Sequence, residues 1–341
     1  MKLSQAKAIA TSAIKSAMSL PATARDAQYV VPYLISGAGL GKTSTAQEIA
    51  ADLNVPLVIL SLAQYDYSEI AGWTLPNDDK TQMVRVRPDW MPTDGKGIIF
   101  LDELPQAPVT NQNIAAQLVN ERRVGPHNLP HGWVVMAAGN RTSDRAGTNV
   151  MPTHLRDRLM FLEIEADLED SIAHFAKIGV SDKVRAYLRF RPEWLHRFDT
   201  QENACPSPRS WERVSSILGW EIDEVCMTEA VAGQVGRAAS ADFMGFLKLF
   251  DVAPDIDKLI AKPDAADIPD DPAIMFAVSS AISSRMTSAN VGNCIKYLTR
   301  LPMKEFVAFA VKDALSRDPA LKKTDAIRKW IVSEGAMLAL S

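Results

Sequence analysis

Residues 36–43 read SGAGLGKT and follow an apolar run, Tyr29 to Ile35, of the kind that forms a buried strand. A strand that runs into a Gly-rich loop, then Lys-Thr, then a helix leaves few folds open. Backbone N–H groups of such a loop and of the helix N-terminus form an anion cradle at the carboxyl end of a strand in an α/β sheet. In that reading Gly37, Ala38, Gly39, Leu40, Gly41 and Ser44 line the cradle. Lys42 reaches the β- and γ-phosphates, and the Thr43 hydroxyl ligates Mg²⁺. The usual motif opens with glycine, whereas this position is Ser36. Gly37, Gly39 and Gly41 still supply the left-handed or close-approach geometry.

The surrounding pattern agrees with an α/β core. Strands are expected at Tyr29–Ile35, Leu57–Leu60, Ile98–Leu101, Trp133–Ala138 and Leu159–Ile164, with helices at Lys42–Leu53 and Thr110–Val119. Apolar strands separated by helices indicate a mostly parallel sheet covered on both faces. An amphipathic helix is expected over residues 3–18, ending before Pro21. Beyond about residue 166 strand signals fade and helical periodicity takes over. The acidic, Pro-rich stretch Ala261–Pro272 is the most linker-like segment.

With 341 residues, 47% apolar and 23% charged, the chain has room for two or three domains with real cores. A net charge of −4 gives no global reason to expect nucleic-acid binding. Cys205, Cys226 and Cys294 are widely separated and form no CxxC pair, which points away from disulfides and zinc. Lys2, Lys7 and Lys15 interrupt the N-terminal apolar pattern, so it reads as a helix rather than a signal peptide. No 18-residue apolar stretch occurs, and a reducing cytoplasm is the expected compartment.

Residues 98–103, IIFLDE, are apolar strand residues that end in two carboxylates. Asp102 at such a strand end would hold Mg²⁺, and Glu103 would orient and deprotonate an attacking water. WVVMAAGN places Asn140 at another strand tip, within reach of a lytic water or γ-phosphate in the same site. LRDRL sets Arg156 and Arg158 before a strand, and SPRSWERV sets Arg209 in the first turn of a helix. A cation is disfavoured at that helix end and calls for an anion or a salt bridge.

In this order the segments resemble the AAA+ ATPases, and within them the MoxR-type branch that includes the CbbQ/NorQ and dynein-related proteins. The resemblance covers roughly residues 25–235. It implies a P-loop NTPase core with a parallel sheet and helices on both faces, followed by an all-α lid and a helical C-terminal extension. The divisions expected are an N-terminal helix over 1–24, the core over 25–165, the lid over 166–235 and the extension over 236–341. The resemblance further implies ATP and Mg²⁺ at subunit interfaces of a homo-oligomer, usually a hexameric ring. Asn140 would be its sensor 1, Arg209 its sensor 2, and Arg158, with Arg156 as the alternative, its trans finger. Two hairpin inserts are expected, near 65–97 with arms Gly72–Leu75 and Met83–Arg87, and near 122–135. Relatives commonly work with a partner bearing a von Willebrand factor A domain.

Several readings stay open at this level. The inserts either touch a client in a pore or are merely solvated. His127 and His131 lie among Pro126, Pro130 and Gly132, which forbid a helical metal pair. Residues 185–197, RAYLRFRPEWLHR, read either as a nucleic-acid surface or as a lid helix with inward aromatics and arginines that are solvated or face a neighbouring subunit. Trp73 and Trp90 either grip a substrate or anchor the base of the first hairpin. The function expected is ATP-driven remodelling of a protein client. A nucleic-acid motor or loader, of phage or McrB-like restriction type, is the alternative, and an ATP-binding switch without turnover is a third.

Overall fold

The computed structural model describes all residues except 22, 25–27, 142–148, 200, 253–254 and 336–341, so the expected core boundary at residue 25 lies outside the described residues. The chain divides into two compact units, Met1–Asp167 and a second that begins at Leu168.

The first unit runs α1 (Leu3–Met18), β1 (Val31–Ser36), α2 (Lys42–Leu53), β2 (Leu57–Ser61), α3 (Tyr67–Ala71), β3 (Thr74–Pro76) and β4 (Met83–Arg85). It continues with β5 (Lys96–Asp102), α4 (Val109–Glu121), β6 (Arg123–Val124), β7 (His127–Asn128), β8 (Gly132–Asn140), α5 (Thr153–Arg156) and β9 (Leu159–Glu163). Five strands form one parallel sheet in the order β2-β5-β8-β1-β9. Side chains alternate across such a sheet, and both of its faces are apolar. Tyr33, Ile99, Leu101, Val135 and Ala137 pack with Ile70, Ala71, Ile114, Ala115 and Leu118 from α3 and α4. Leu34, Phe100, Val134, Met136 and Ala138 pack on the other face with Ala6, Ala10 and Ile14 of α1 and with Ala46 and Ile49 of α2.

Two antiparallel pairs lie in the stretches read as inserts, β3 with β4, shifted from the expected arms to Thr74–Pro76 and Met83–Arg85, and β6 with β7. They touch each other: His127 Nε2 lies 2.9 Å from the Arg85 carbonyl oxygen. Trp90 anchors the base of the first hairpin by donating from Nε1 to the Ile70 carbonyl at 3.2 Å. Trp73 faces solvent at 64% exposure, as does Met83 at 65%.

The second unit holds ten described α-helices: α6 (Leu168–Ile178), α7 (Asp182–Phe190), α8 (Pro208–Ile217), α9 (Glu224–Val235), α10 (Arg237–Val252), α11 (Ile256–Ala261), α12 (Pro272–Arg285), α13 (Val291–Leu298), α14 (Lys304–Arg317) and α15 (Asp325–Trp330). Val235 ends α9 and Gly236 separates it from α10, so the expected division of lid from extension lies inside this one unit. Ser240 Oγ of α10 donates to the Thr228 carbonyl of α9 at 2.8 Å. An aromatic chain continues from Phe246 through Phe190 and Phe276 to Phe309, with centroid separations of 5.5, 5.5 and 4.7 Å.

Two sequence expectations change here. Residues 261–272 are a pinned loop rather than a linker: Tyr297 Oη donates to the Asp267 carbonyl at 2.9 Å, and Arg300 donates to that of Pro263. The arginines of residues 185–197 are not simply solvated. Arg185 and Arg189 are buried against Asp313, which also accepts from Ser283 Oγ at 2.6 Å. Arg191 pairs with Asp242, and Arg197 stacks on Trp194. Tyr187, Phe190 and Trp211 supply the inward aromatic packing.

Candidate functional site

Ser36, Asp102 and Asn140 each end a strand, and β5, β8 and β1 are neighbours in the sheet. Their tips meet at the carboxyl edge, where an open α/β sheet receives its ligand. The loop that leaves β1 turns through Gly39 at φ 79° and Gly41 at φ 75°, a region that side chains with a Cβ disfavour. This turn delivers Lys42 and Thr43 as the first residues of α2, whose N-terminal N–H groups carry partial positive charge. Gly37 and Leu40 are buried, whereas Ala38 and Ser44 are exposed.

Lys42 bridges two strand tips. Its ammonium donates to Ser36 Oγ at 2.9 Å, Asn140 Oδ1 at 2.8 Å and the Gly37 carbonyl at 3.1 Å. Ser36 and Asn140 are register partners in the β1–β8 ladder, which explains how one side chain reaches both. Thr43 Oγ1 donates to Asp102 Oδ2 at 2.7 Å. Asp102 Oδ1 accepts from the Glu103 N–H at 2.9 Å, leaving the aspartate anchored between α2 and the next residue.

Glu103 adopts φ 54°, a left-handed conformation that costs a non-glycine residue about 1 kcal/mol or more. The bend ends β5 and starts the 3₁₀ turn Leu104–Gln106. Gly139 permits that turn to lie on β8. A Cβ at position 139 would come within 2.4 Å of both Pro105 Cδ and Tyr33 Oη. Glu103 is thereby set beside the tips that carry Asp102 and Asn140.

The donor set fits a magnesium–phosphate pair. Mg²⁺ prefers one or two protein oxygens and takes the rest from water and phosphate. Thr43 Oγ1 and Asp102 Oδ2 already converge, and no cluster of three His, Cys, Asp or Glu capable of caging a metal exists among the described residues. His127 and His131 are engaged separately, with the Arg85 carbonyl and Tyr29 Oη.

Arg156 and Arg158 lie apart from this group. Leu159, directly after Arg158, pairs with Val31 at the opposite end of β1 from Ser36. At about 3.3 Å per residue the five steps separate Arg158 from the loop by roughly 16 Å. Arg158 is half exposed, with Asp157 at 3.6 Å, and Arg156 is exposed. Arg209 is exposed in the first turn of α8 in the second unit, after a Ser207 cap that accepts from the Ser210 N–H at 3.2 Å.

Sequence reasoning missed two partners. It assigned Asn140 to a ligand rather than to Lys42, and it took Ser36 only as a departure from glycine. The hydroxyl itself was the available signal, because a buried Ser next to a lysine needs a hydrogen-bond partner.

No curated protein matches the chain. Among solved structures it is similar to NtrX from Brucella abortus, at 15% identity and a TM-score of 0.38, over 91% of this chain and 63% of that one. The chain thus spans less than two thirds of the length of NtrX. It is also similar to the RuvB Holliday junction branch migration motor of Thermotoga maritima, at 15% identity and a TM-score of 0.41, over 83% of this chain and 82% of RuvB. Residues 32–162, which lie within the α/β unit, match the model of the ATPase family associated with various cellular activities (AAA).

Proposed function

We propose that this chain binds Mg²⁺–ATP at Lys42 and hydrolyses it, using Glu103 to activate water, and that it acts in a ring as a MoxR-type remodeller of a protein client. The observation that carries the reading is the convergence of Lys42, Thr43, Asp102 and Asn140 on three adjacent strand tips. Lys42 and the loop N–H groups bind the phosphates, Thr43 and Asp102 hold the metal, and Glu103 stands beside them as base. The metal would screen the phosphate charge and orient the γ-phosphoryl group.

Arg158 supports an oligomer because its place at the far end of β9 keeps it from its own loop. A charge so placed serves the pocket of a neighbouring copy, and Arg156 stands two residues away as the alternative. Arg209 is proposed as the sensor of the helical unit. A client, alone or presented by a partner with a von Willebrand factor A domain, would meet the exposed apolar side chains of the first hairpin, Trp73, Leu75, Met83 and Val84. Two cations of that insert are turned to the chain itself. Arg85 lies against Gly125, and Arg87 Nη1 donates to the Pro92 carbonyl at 3.2 Å. This favours a protein client over nucleic acid. Among the described residues, no helix is long and apolar enough to cross a membrane.

Magnesium-dependent phosphate release by the purified protein tests the proposal. Release should be lost in Glu103→Gln while ATP still binds. Absence of release from the wild type, or equal release from the variant, removes the hydrolytic reading. Strong stimulation by DNA would favour the nucleic-acid motor instead.

A further inference from the structure

We infer that the Ser36 hydroxyl is a positioning group for Lys42, the anchor that keeps the ammonium in place when a phosphate displaces Asn140. The inference rests on the proposed triphosphate site and adds a residue to it. Ser36 closes β1 with 0% exposure, so its hydroxyl cannot be satisfied by bulk water. The hydroxyl donates to the Gly37 carbonyl at 2.8 Å and accepts from Lys42 Nζ at 2.9 Å. A hydroxyl has one proton; with that proton on Gly37, its lone pairs face the lysine. A glycine at this position would provide neither bond.

An ammonium has three N–H donors, and three oxygens surround Lys42 within 3.1 Å: Ser36 Oγ, Asn140 Oδ1 and the Gly37 carbonyl. The Ser36 carbonyl lies farther off at 3.5 Å, so a phosphate oxygen that reaches Lys42 competes with these acceptors for its N–H groups. Ser36 Oγ and the Gly37 carbonyl are fixed by a buried strand end and by each other. Asn140 is only half-buried, at the end of β8, and meets Lys42 through a side chain rather than a fixed backbone group. Asn140 is the group that exchanges, and Ser36 is the one retained. Release from Lys42 also frees the Asn140 carboxamide to face the γ-phosphate. With a glycine at this position, Lys42 would lose its Oγ anchor, and the Gly37 carbonyl would be the nearest of these acceptors left once Asn140 exchanges.

The test is a double-mutant cycle between Ser36→Ala and Lys42→Met, read as binding of a non-hydrolysable ATP analogue with magnesium. In the wild-type background Ser36→Ala should raise Kd about tenfold, the low end for a hydrogen bond to a charged group. With Lys42→Met present it should add less than about twofold, because the bond is already gone. An equal factor in both backgrounds means that Ser36 merely fills space, and overturns the inference. Because Lys42→Met can weaken binding beyond measurement, the same cycle is read by thermal unfolding without nucleotide. Ser36→Ala should then lower Tm less in the Lys42→Met protein than in the wild type, and equal decreases overturn the inference. Wild-type binding with additive cycles removes this inference alone. Failure of the wild type to bind the analogue removes the site reading as well.

Discussion

Thr43 Oγ1 and Asp102 Oδ2 are joined by a 2.7 Å hydrogen bond that ties the first turn of α2 to the end of β5. These are the two side chains that would hold a divalent cation, which would supply charge to offset the phosphates. Removing one of them, by Thr43→Ala or Asp102→Asn, should weaken magnesium-dependent binding of an ATP analogue about tenfold or more. Binding measured in EDTA should change little. Equal losses with and without magnesium would place the metal elsewhere.

Arg158 stands at the far end of β9 from the loop of its own chain. Arg158→Ala should therefore lower ATP turnover by about 10³-fold or more with ATP affinity retained. Mixing this variant with Glu103→Gln subunits should restore part of the activity, because each supplies what the other lacks. Unchanged turnover by Arg158→Ala would transfer the assignment to Arg156.

Gly139 lies where Pro105 and Tyr33 leave no room for a methyl group. Gly139→Ala should destabilise the first unit by about 1–3 kcal/mol through overpacking. It should also depress turnover more than ATP binding, since the displaced turn carries Glu103. Differential scanning calorimetry and steady-state kinetics together check both halves. A variant with normal stability and turnover would show that the turn yields freely.

Asp313 makes the stability of the second unit pH-dependent. Burial pushes its carboxyl up, but the Arg189 charge, the Ser283 hydrogen bond and Arg185 together hold it below the ordinary carboxylate range. A depressed carboxylate contributes its stabilisation above its unfolded pKa, about 4. The contribution falls away as pH drops below that value, and acid denaturation should show it. Asp313→Ala should cost about 3–5 kcal/mol at neutral pH by leaving the buried Arg189 without its carboxylate and Arg185 with Asp182 alone. The cost should shrink as the pH is lowered toward 3, and a cost independent of pH would contradict this account.

The core was legible because its rules are local. Val31–Leu34 and Trp133–Ala138 are buried on both faces, so their runs stand out, and the strands end within two residues of expectation on Ser36 and Asn140. Lys42–Leu53 matches the helix bounds, since glycine precedes it and the left-handed Asn54 follows it. The first insert was legible from length, because 33 residues between 65 and 97 exceed an ordinary connection. What escaped was non-local. Arg185 and Arg189 look solvated in sequence because their partner Asp313 lies 124 positions beyond Arg189. The contact between His127 and Arg85 spans 42 positions and leaves no periodic trace. Residues 261–272 have linker composition, yet α13 fixes them through backbone carbonyls that composition does not report.

The most direct measurement is an equilibrium titration of a fluorescent ATP analogue, with magnesium, into the wild type and Lys42→Ala. Saturable binding by the wild type, weakened about 100-fold or more without the ammonium, is the expected result. No binding by the wild type, or undiminished affinity in Lys42→Ala, would contradict the claim that phosphate is held between these strand tips.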